Sequence, residues 1–272
     1  MTVFEKATSV RRVDQMAFEA TMDGAWWGAG GPHGGYLSAI LLRAMTEAAG
    51  DPSRAARSLT VHFAGRPVEG PARISAMIDR VGRSITYVSA TLDQGAGVLA
   101  RAMAAFSVSW DGFEYDDARM PDLPGPSESM EIPTTEHLPP FLAHVDSRAA
   151  IFRPPLAGAE VAETAGWMRF ADPVVPDPIV VAMLADTWLP SPFARATRPV
   201  LTPTVDLTVH FCAALPIEGA RPGDYVLGRF ASDLSRQGFF VENGELWSES
   251  GVLLARSRQH ALALFAREPG KD

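Results

Sequence analysis

The chain has a single cysteine, Cys212, in 272 residues, so no disulfide can close within it. Its apolar strand context reads as a buried small hydrophobe. Cations are also scarce: 24 Lys and Arg stand against 32 Asp and Glu, for a net charge of −8. That balance argues against a nucleic-acid face but leaves room for an anionic small ligand held by a local arginine cluster. No apolar run approaches the ~20 residues of a membrane span. Residues Met1–Lys6 carry charge where a signal peptide needs its apolar stretch, so a cytoplasmic protein without membrane or nucleic-acid partners is expected. Homo-oligomerisation is left open.

Several chemical signatures are missing as well. There is no Gly-x-Ser-x-Gly elbow, which argues against a serine α/β-hydrolase. Gly28–Gly35 does not satisfy Gly-x-Gly-x-x-Gly and follows no parallel βαβ strand, and no P-loop occurs. The histidines show no metal-ligand spacing. The expectation is chemistry with no cofactor and no metal.

What is present is a repeat. Leu-Thr-Val-His-Phe occurs at Leu59–Phe63 and again at Leu207–Phe211, an offset of 207 − 59 = 148 residues. Arg66-Pro67-Val68-Glu69-Gly70 after the first copy resembles Leu215-Pro216-Ile217-Glu218-Gly219 after the second. Farther on, Val98-Leu99-Ala100-Arg101 resembles Leu253-Leu254-Ala255-Arg256, at an offset of 253 − 98 = 155. One module is written twice. A side chain present in one copy and absent from the other is therefore not demanded by the fold alone.

The pattern predicts the same order of elements in each half. Tyr36–Ala49 is apolar nearly all round, as in a helix buried on most sides, and Gly50-Asp51-Pro52 stops it. Strands are expected over Ser58–Phe63, Ala72–Arg80, Ser84–Asp93 and Val98–Trp110, joined by hairpin-like connections. Eight prolines between Asp111 and Pro155 dissolve the pattern. The second half repeats with a strand at Trp167–Ala171, an apolar helix over Ile179–Leu189 and strands at Thr204–Ala213, Asp224–Asp233, Gly238–Glu242 and Ser250–Phe265. The expected domains are an N-terminal module over 1–118, a Pro-rich linker over 119–147 and a C-terminal module over 148–272.

Two polar residues stand out against apolar surroundings. Asp186 lies in the nearly all-apolar run Ile179–Leu189, where an acid is costly to bury and unfavourable near a helix C-terminus. Gln259 is the one large polar group on the strand face Leu253, Ala255, Ser257, Ala261 and Ala263. At the 155 offset its counterpart is Ala104, so the fold does not require the amide. On the first helix Ala39 lies near the place of Asp186. His33-Gly34-Gly35, with Tyr36 beside them, opens that helix, where free amides attract an anion and glycines admit a substrate. The duplicated His62 and His210 read as structural, and the recurring Arg83, Arg101, Arg236 and Arg256 as solvated strand edges.

Leu184-Ala185-Asp186, Thr204-Val205-Asp206-Leu207-Thr208-Val209-His210-Phe211 and Val252–Gln259 together resemble the acyl-CoA thioesterase II family, in order and spacing across both modules. The resemblance implies an α+β double hotdog: two tandem modules, each a long helix wrapped by an antiparallel β-sheet. It implies an enzyme of fatty-acid metabolism that hydrolyses acyl-CoA to free acid and coenzyme A. Water would be held and activated by Asp186, Thr204 and Gln259, with His33, Gly34, Gly35 and Tyr36 meeting the substrate. Strict alternation puts Thr204 on the face opposite Val205 and Leu207, so its strand entry must be irregular, or Thr208 is the site hydroxyl. The alternatives are a non-catalytic acyl-CoA or acyl-chain binding protein, and another hotdog enzyme such as an enoyl-CoA hydratase. The latter usually needs an Asp–His or His–Glu pair, which the second helix does not carry.

Overall fold

The alternation of apolar and polar residues builds an antiparallel sheet of 13 strands, beside which two short strand pairs, Trp27–Gly28 with Gly31–Pro32 and Val200–Leu201 with Leu264–Phe265, stand apart. The structure is a computed structural model that describes residues 1–135 and 138–265, so parts of the expected linker and of the expected C-terminal module lie outside the described residues. In the first half the strands are β1 (Arg11–Asp14), β2 (Ala17–Met22), β3 (Ala55–Phe63), β4 (Gly70–Val81), β5 (Ile85–Asp93) and β6 (Val98–Ser107). In the second half they are β7 (Met130–Glu131), β8 (Val145–Ile151), β9 (Ala162–Phe170), β10 (Thr204–Phe211), β11 (Val226–Arg236), β12 (Phe239–Ser248) and β13 (Leu253–Leu262).

Their order across the sheet is β1-β2-β4-β5-β6-β3-β10-β13-β12-β11-β9-β8-β7. Outward from the central pair β3 and β10, β6 answers β13, β5 answers β12, and β4 answers β11. The two pentapeptides form that centre. Thr60 pairs with Thr208, Val61 with Leu207, and Leu59 with Val209, as an antiparallel pair of identical segments must about a local two-fold. The hydroxyls of Thr60 and Thr208 meet at 3.0 Å on the axis.

The helix Gly34–Ala49, here α1, lies under the first half of the sheet and ends at Gly50, whose φ of 65° is left-handed. Its residues Ile40, Leu41, Leu42 and Met45 are fully buried. The core is continuous across the two copies: Leu41 and Val61 share one cluster with Met183, Leu207 and Leu254. At roughly 1.5–3 kcal/mol for each fully buried large aliphatic side chain, this shared layer is a main source of cohesion between the halves.

Three expectations need correction. The second helix, α2, spans only Pro178–Leu184, so the two modules do not each carry a long helix. After Leu184 the chain tightens: the Asp186 amide bonds to Met183 O and the Thr187 amide to Leu184 O, three residues back. The Thr187 hydroxyl also takes Met183 O, at 2.9 Å, and the apolar run continues as a turn. Secondly, the proline-rich stretch contains β8, which starts before residue 148 and pairs along its length with β9. Its prolines flank that strand rather than interrupt it. Thirdly, Cys212 is exposed. Phe211 points into the core at the end of β10, so alternation turns the next side chain outward. Among the described residues no helix is long and apolar enough to cross a membrane.

Candidate active site

The first turn of α1 packs against the last turn of α2, and the contact brings distant parts of the sequence together. Asp177 caps α2 by accepting the Val180 amide at 2.8 Å, and Pro178 occupies the first turn, where no amide is needed. The turn after α2 then swings Asp186 over the N-terminus of α1. Asp186 Oδ2 accepts the Gly35 amide at 2.9 Å. The 16-residue α1 presents its positive end to this carboxylate, which offsets the unfavourable closeness of the α2 C-terminus. Glycine is required at position 35, and at position 34 a side chain would displace the Asp186 carboxylate. A Cβ on Gly35 would lie 2.4 Å from Met183 O, and one on Gly34 2.7 Å from Asp186 Oδ2. Counted from the helix caps, Asp186 is nine residues past Asp177; nine past His33 is Leu42, so Leu42 rather than Ala39 is its counterpart.

Gln259 completes the carboxylate's surroundings. Its Nε2 donates to Asp186 Oδ1 at 2.7 Å and to Thr204 Oγ1 at 2.7 Å. The register explains why Thr204 reaches inward. It pairs with Ala261, and a bulge follows between Thr204 and Asp206 that resets the alternation. The same bulge recurs in the first copy between Ala56 and Ser58. Leu207 pairs with Gln259 as Leu59 pairs with Ala104, so the first copy holds alanine at the places of both Gln259 and Thr204. Thr208 lies elsewhere, bonded to Thr60 on the two-fold.

His33 is the N-cap of α1 and only 8% exposed, stacked on Phe141 at 4.1 Å between ring centroids. Its Nε2 stands 2.8 Å from the Asp186 carbonyl oxygen and 3.6 Å from Oδ2. A carbonyl only accepts, so Nε2 carries the hydrogen, and Nδ1 is buried without a hydrogen-bond partner among the described residues. Burial lowers the pKa of His33 and outweighs the opposing pull of Asp186, favouring the neutral ring. The His–Asp pair that α2 lacks is thus assembled across the two copies. Tyr36 is not part of this cluster. It is fully buried, and its hydroxyl lies 3.0 Å from Ala7 O and 3.1 Å from Thr21 O, away from the Asp186 carboxylate.

One acid in this layer is not announced by the sequence pattern. Glu242 on β12 pairs with Gln259, is 6% exposed, and accepts the Ser191 amide at 2.5 Å. Burial pushes its pKa up to about 7, against the Ser191 bonds and with help from the charge of Asp186. Asn243-Gly244 reads as a turn and so ends the expected strand at Glu242. The available signal is the inward alternation Phe240, Glu242, Gly244 and Leu246. A cavity of about 200 Å³ lined by Pro176, Ile217, Tyr225, Ser248 and Leu254 includes none of these cluster residues.

Residues 24–107 match the model of the acyl-CoA thioesterase N-terminal domain, and residues 117–263 that of the acyl-CoA thioesterase C-terminal domain. The chain belongs to this acyl-CoA thioesterase family. The chain resembles a conserved hot dog fold protein of unknown function from Alicyclobacillus acidocaldarius, with a TM-score of 0.88, 27% identity and coverage of 98% of this chain and 100% of that one. It shares its fold with the acyl-CoA thioesterase II TesB2 of Mycobacterium marinum, with a TM-score of 0.78, 18% identity and coverage of 97% and 99%. The tesB protein MAP1729c of Mycobacterium avium subs paratuberculosis gives a TM-score of 0.76, 21% identity and coverage of 96% and 98%. Among curated proteins, none matches the chain. The cluster draws on both family domains: His33, Gly34 and Gly35 come from the N-terminal one, and Asp186, Thr204, Glu242 and Gln259 from the C-terminal one.

Proposed function

We propose that this thioesterase-family protein hydrolyses acyl-CoA to free acid and coenzyme A, with Asp186 as general base and Thr204 and Gln259 as the groups that orient the attacking water. The observation that carries the reading is the bridge made by Gln259 Nε2, 2.7 Å from both Asp186 Oδ1 and Thr204 Oγ1. Both amide hydrogens are then spent, and the Gln259 amide oxygen is left as an acceptor. The Thr204 oxygen accepts from Gln259, so its hydroxyl hydrogen is free to donate. Each carboxylate oxygen of Asp186 keeps a lone pair beyond the bonds from Gly35 and Gln259. A water among these three groups has its hydrogens and one lone pair fixed, which supplies the orientation that attack requires.

In the chemical step the water oxygen bonds to the thioester carbonyl carbon while its proton passes to Asp186. The tetrahedral oxyanion then reforms the carbonyl, the C–S bond breaks, and the thiolate of coenzyme A takes the proton back. The Gly35 amide is committed to Asp186, but the Gly34 amide, first in α1, donates to no group among the described residues. It is the donor we assign to the oxyanion.

The His33–Asp186 pair favours a second reading, hydration of an enoyl-CoA, because its Nε2 stands 3.6 Å from Oδ2. Thiol release measured over short, medium, long and aromatic acyl-CoAs separates the two, since hydration releases no thiol and removes the conjugated double bond instead. Hydrolysis is expected, with Asp186→Asn lowering it by about 10²-fold at unchanged folding. Coenzyme thioester binding with no thiol released by the wild type would overturn the reading, as would an Asp186→Asn variant with full turnover.

A further inference from the structure

Glu242 takes no part in that chemical step. Paired side chains on adjacent antiparallel strands lie about 4.5–5.5 Å apart at Cβ, so Glu242 stands directly beside the amide that bridges Asp186 and Thr204. Its other attachment is the amide of Ser191, five residues beyond Asp186, in the turn that leads from α2. The Ser191 hydroxyl is itself fully buried and has no hydrogen-bond partner among the described residues. One carboxyl group therefore ties the far end of the turn that carries Asp186 to the strand beside Gln259. The fold does not ask for an acid here: Val88 pairs with Ala104 in the first copy as Glu242 pairs with Gln259 in the second. A buried carboxyl is costly where valine serves the same sheet position.

We propose that Glu242 is a positioning residue of the acyl-CoA site, holding the turn from Asp186 to Ser191 so that the Asp186 carboxylate stays on Gly35 and Gln259. The proposal rests on the reading of Asp186 as the base. Burial, opposed by the Ser191 bonds and reinforced by Asp186, raises the pKa of Glu242 to about 7, so at lower pH it is neutral and does not repel its neighbour. The titratable groups on this side are Asp186, from the turn after α2, and behind it His33, from the cap of α1. Gln259 and Thr204, from β13 and β10, carry no charge. As pH rises through about 7, Glu242 ionises and a second carboxylate faces Asp186, while the Ser191 amide goes on donating to Glu242.

The test uses the full chain, with kcat and KM for thiol release followed over about pH 5 to 9. Glu242→Val is expected to lower kcat about tenfold or more, with KM within about threefold and the melting temperature not lowered, because the sheet position accepts valine. Glu242→Gln keeps an oxygen for the Ser191 amide. It should retain kcat within about threefold and differ from the wild type in the pH dependence of kcat around pH 7, where Glu242 titrates. Wild-type kcat in Glu242→Val overturns the proposal, and so does a wild-type pH profile in Glu242→Gln; the second measurement decides if the valine variant does not fold. Asp186→Asn is assayed alongside. If it is inactive while both Glu242 variants match the wild type, this inference alone fails; if it retains full turnover, the reading of Asp186 fails and the inference with it.

Discussion

Gln259 and Glu242 face each other across one strand pair, and one was legible where the other was not. Gln259 interrupts an otherwise small and apolar face, and its alanine counterpart in the first copy is visible without coordinates. Glu242 is hidden because Asn243 and Gly244 imitate a turn, although β12 runs straight through them to Ser248. The glycine is there for packing: a Cβ on Gly244 would lie 2.2 Å from Ser257 Oγ. Gln259 also permits a test that separates chemistry from folding. Gln259→Ala restores the residue that Ala104 supplies in the first copy, so melting should change little while turnover falls about tenfold or more. A purely structural amide would behave in the opposite way, costing about 1–3 kcal/mol through the unsatisfied partners it leaves. A lowered melting temperature with unchanged turnover would remove Gln259 from the site.

Among the elements, the helices show where a sequence pattern stops being informative. The apolar run Ile179–Leu189 has helical composition throughout, yet α2 ends at Leu184 because Thr187 and the tightened turn take over the last carbonyls. Composition does not announce that exchange, since it depends on which hydrogen bonds the turn residues make. The first helix was legible nearly to the residue because Gly50 closes it and its apolar residues are buried on most sides, with only Thr46 and Glu47 exposed near its end. The meeting of the two helices makes its own prediction. Gly35→Ala would put a methyl group 2.4 Å from Met183 O, a backbone atom with little freedom to move. The variant should lose about 1–3 kcal/mol of stability in thermal or denaturant unfolding, as overpacked sites do. It should also lose turnover, because the end of α2 and Asp186 move together. Wild-type stability in Gly35→Ala would show that the helix contact is looser than the geometry implies.

At the scale of the whole molecule, the repeat explains why the polar cluster around one carboxylate draws on two copies of a module. The second copy supplies Asp186, Thr204 and Gln259, and the first supplies the helix end on which Asp186 rests. The pentapeptide was legible as a repeat, but its role was not: identical strands pair with each other at the centre of the sheet, where Thr60 meets Thr208. That pairing and the shared core, rather than the covalent connection, should hold the halves together. Residues 111–117 are exposed and outside any helix or strand, with Phe113 94% and Tyr115 78% exposed. Such segments are the preferred sites of proteolytic nicking, so brief chymotrypsin treatment should cut there first and leave thiol release within about twofold of the intact protein. The two fragments should run as one species on size exclusion and separate only in denaturant. Separation of the fragments under native conditions would mean that the connection, and not the β3–β10 junction with its shared core, keeps the two halves of the site in register.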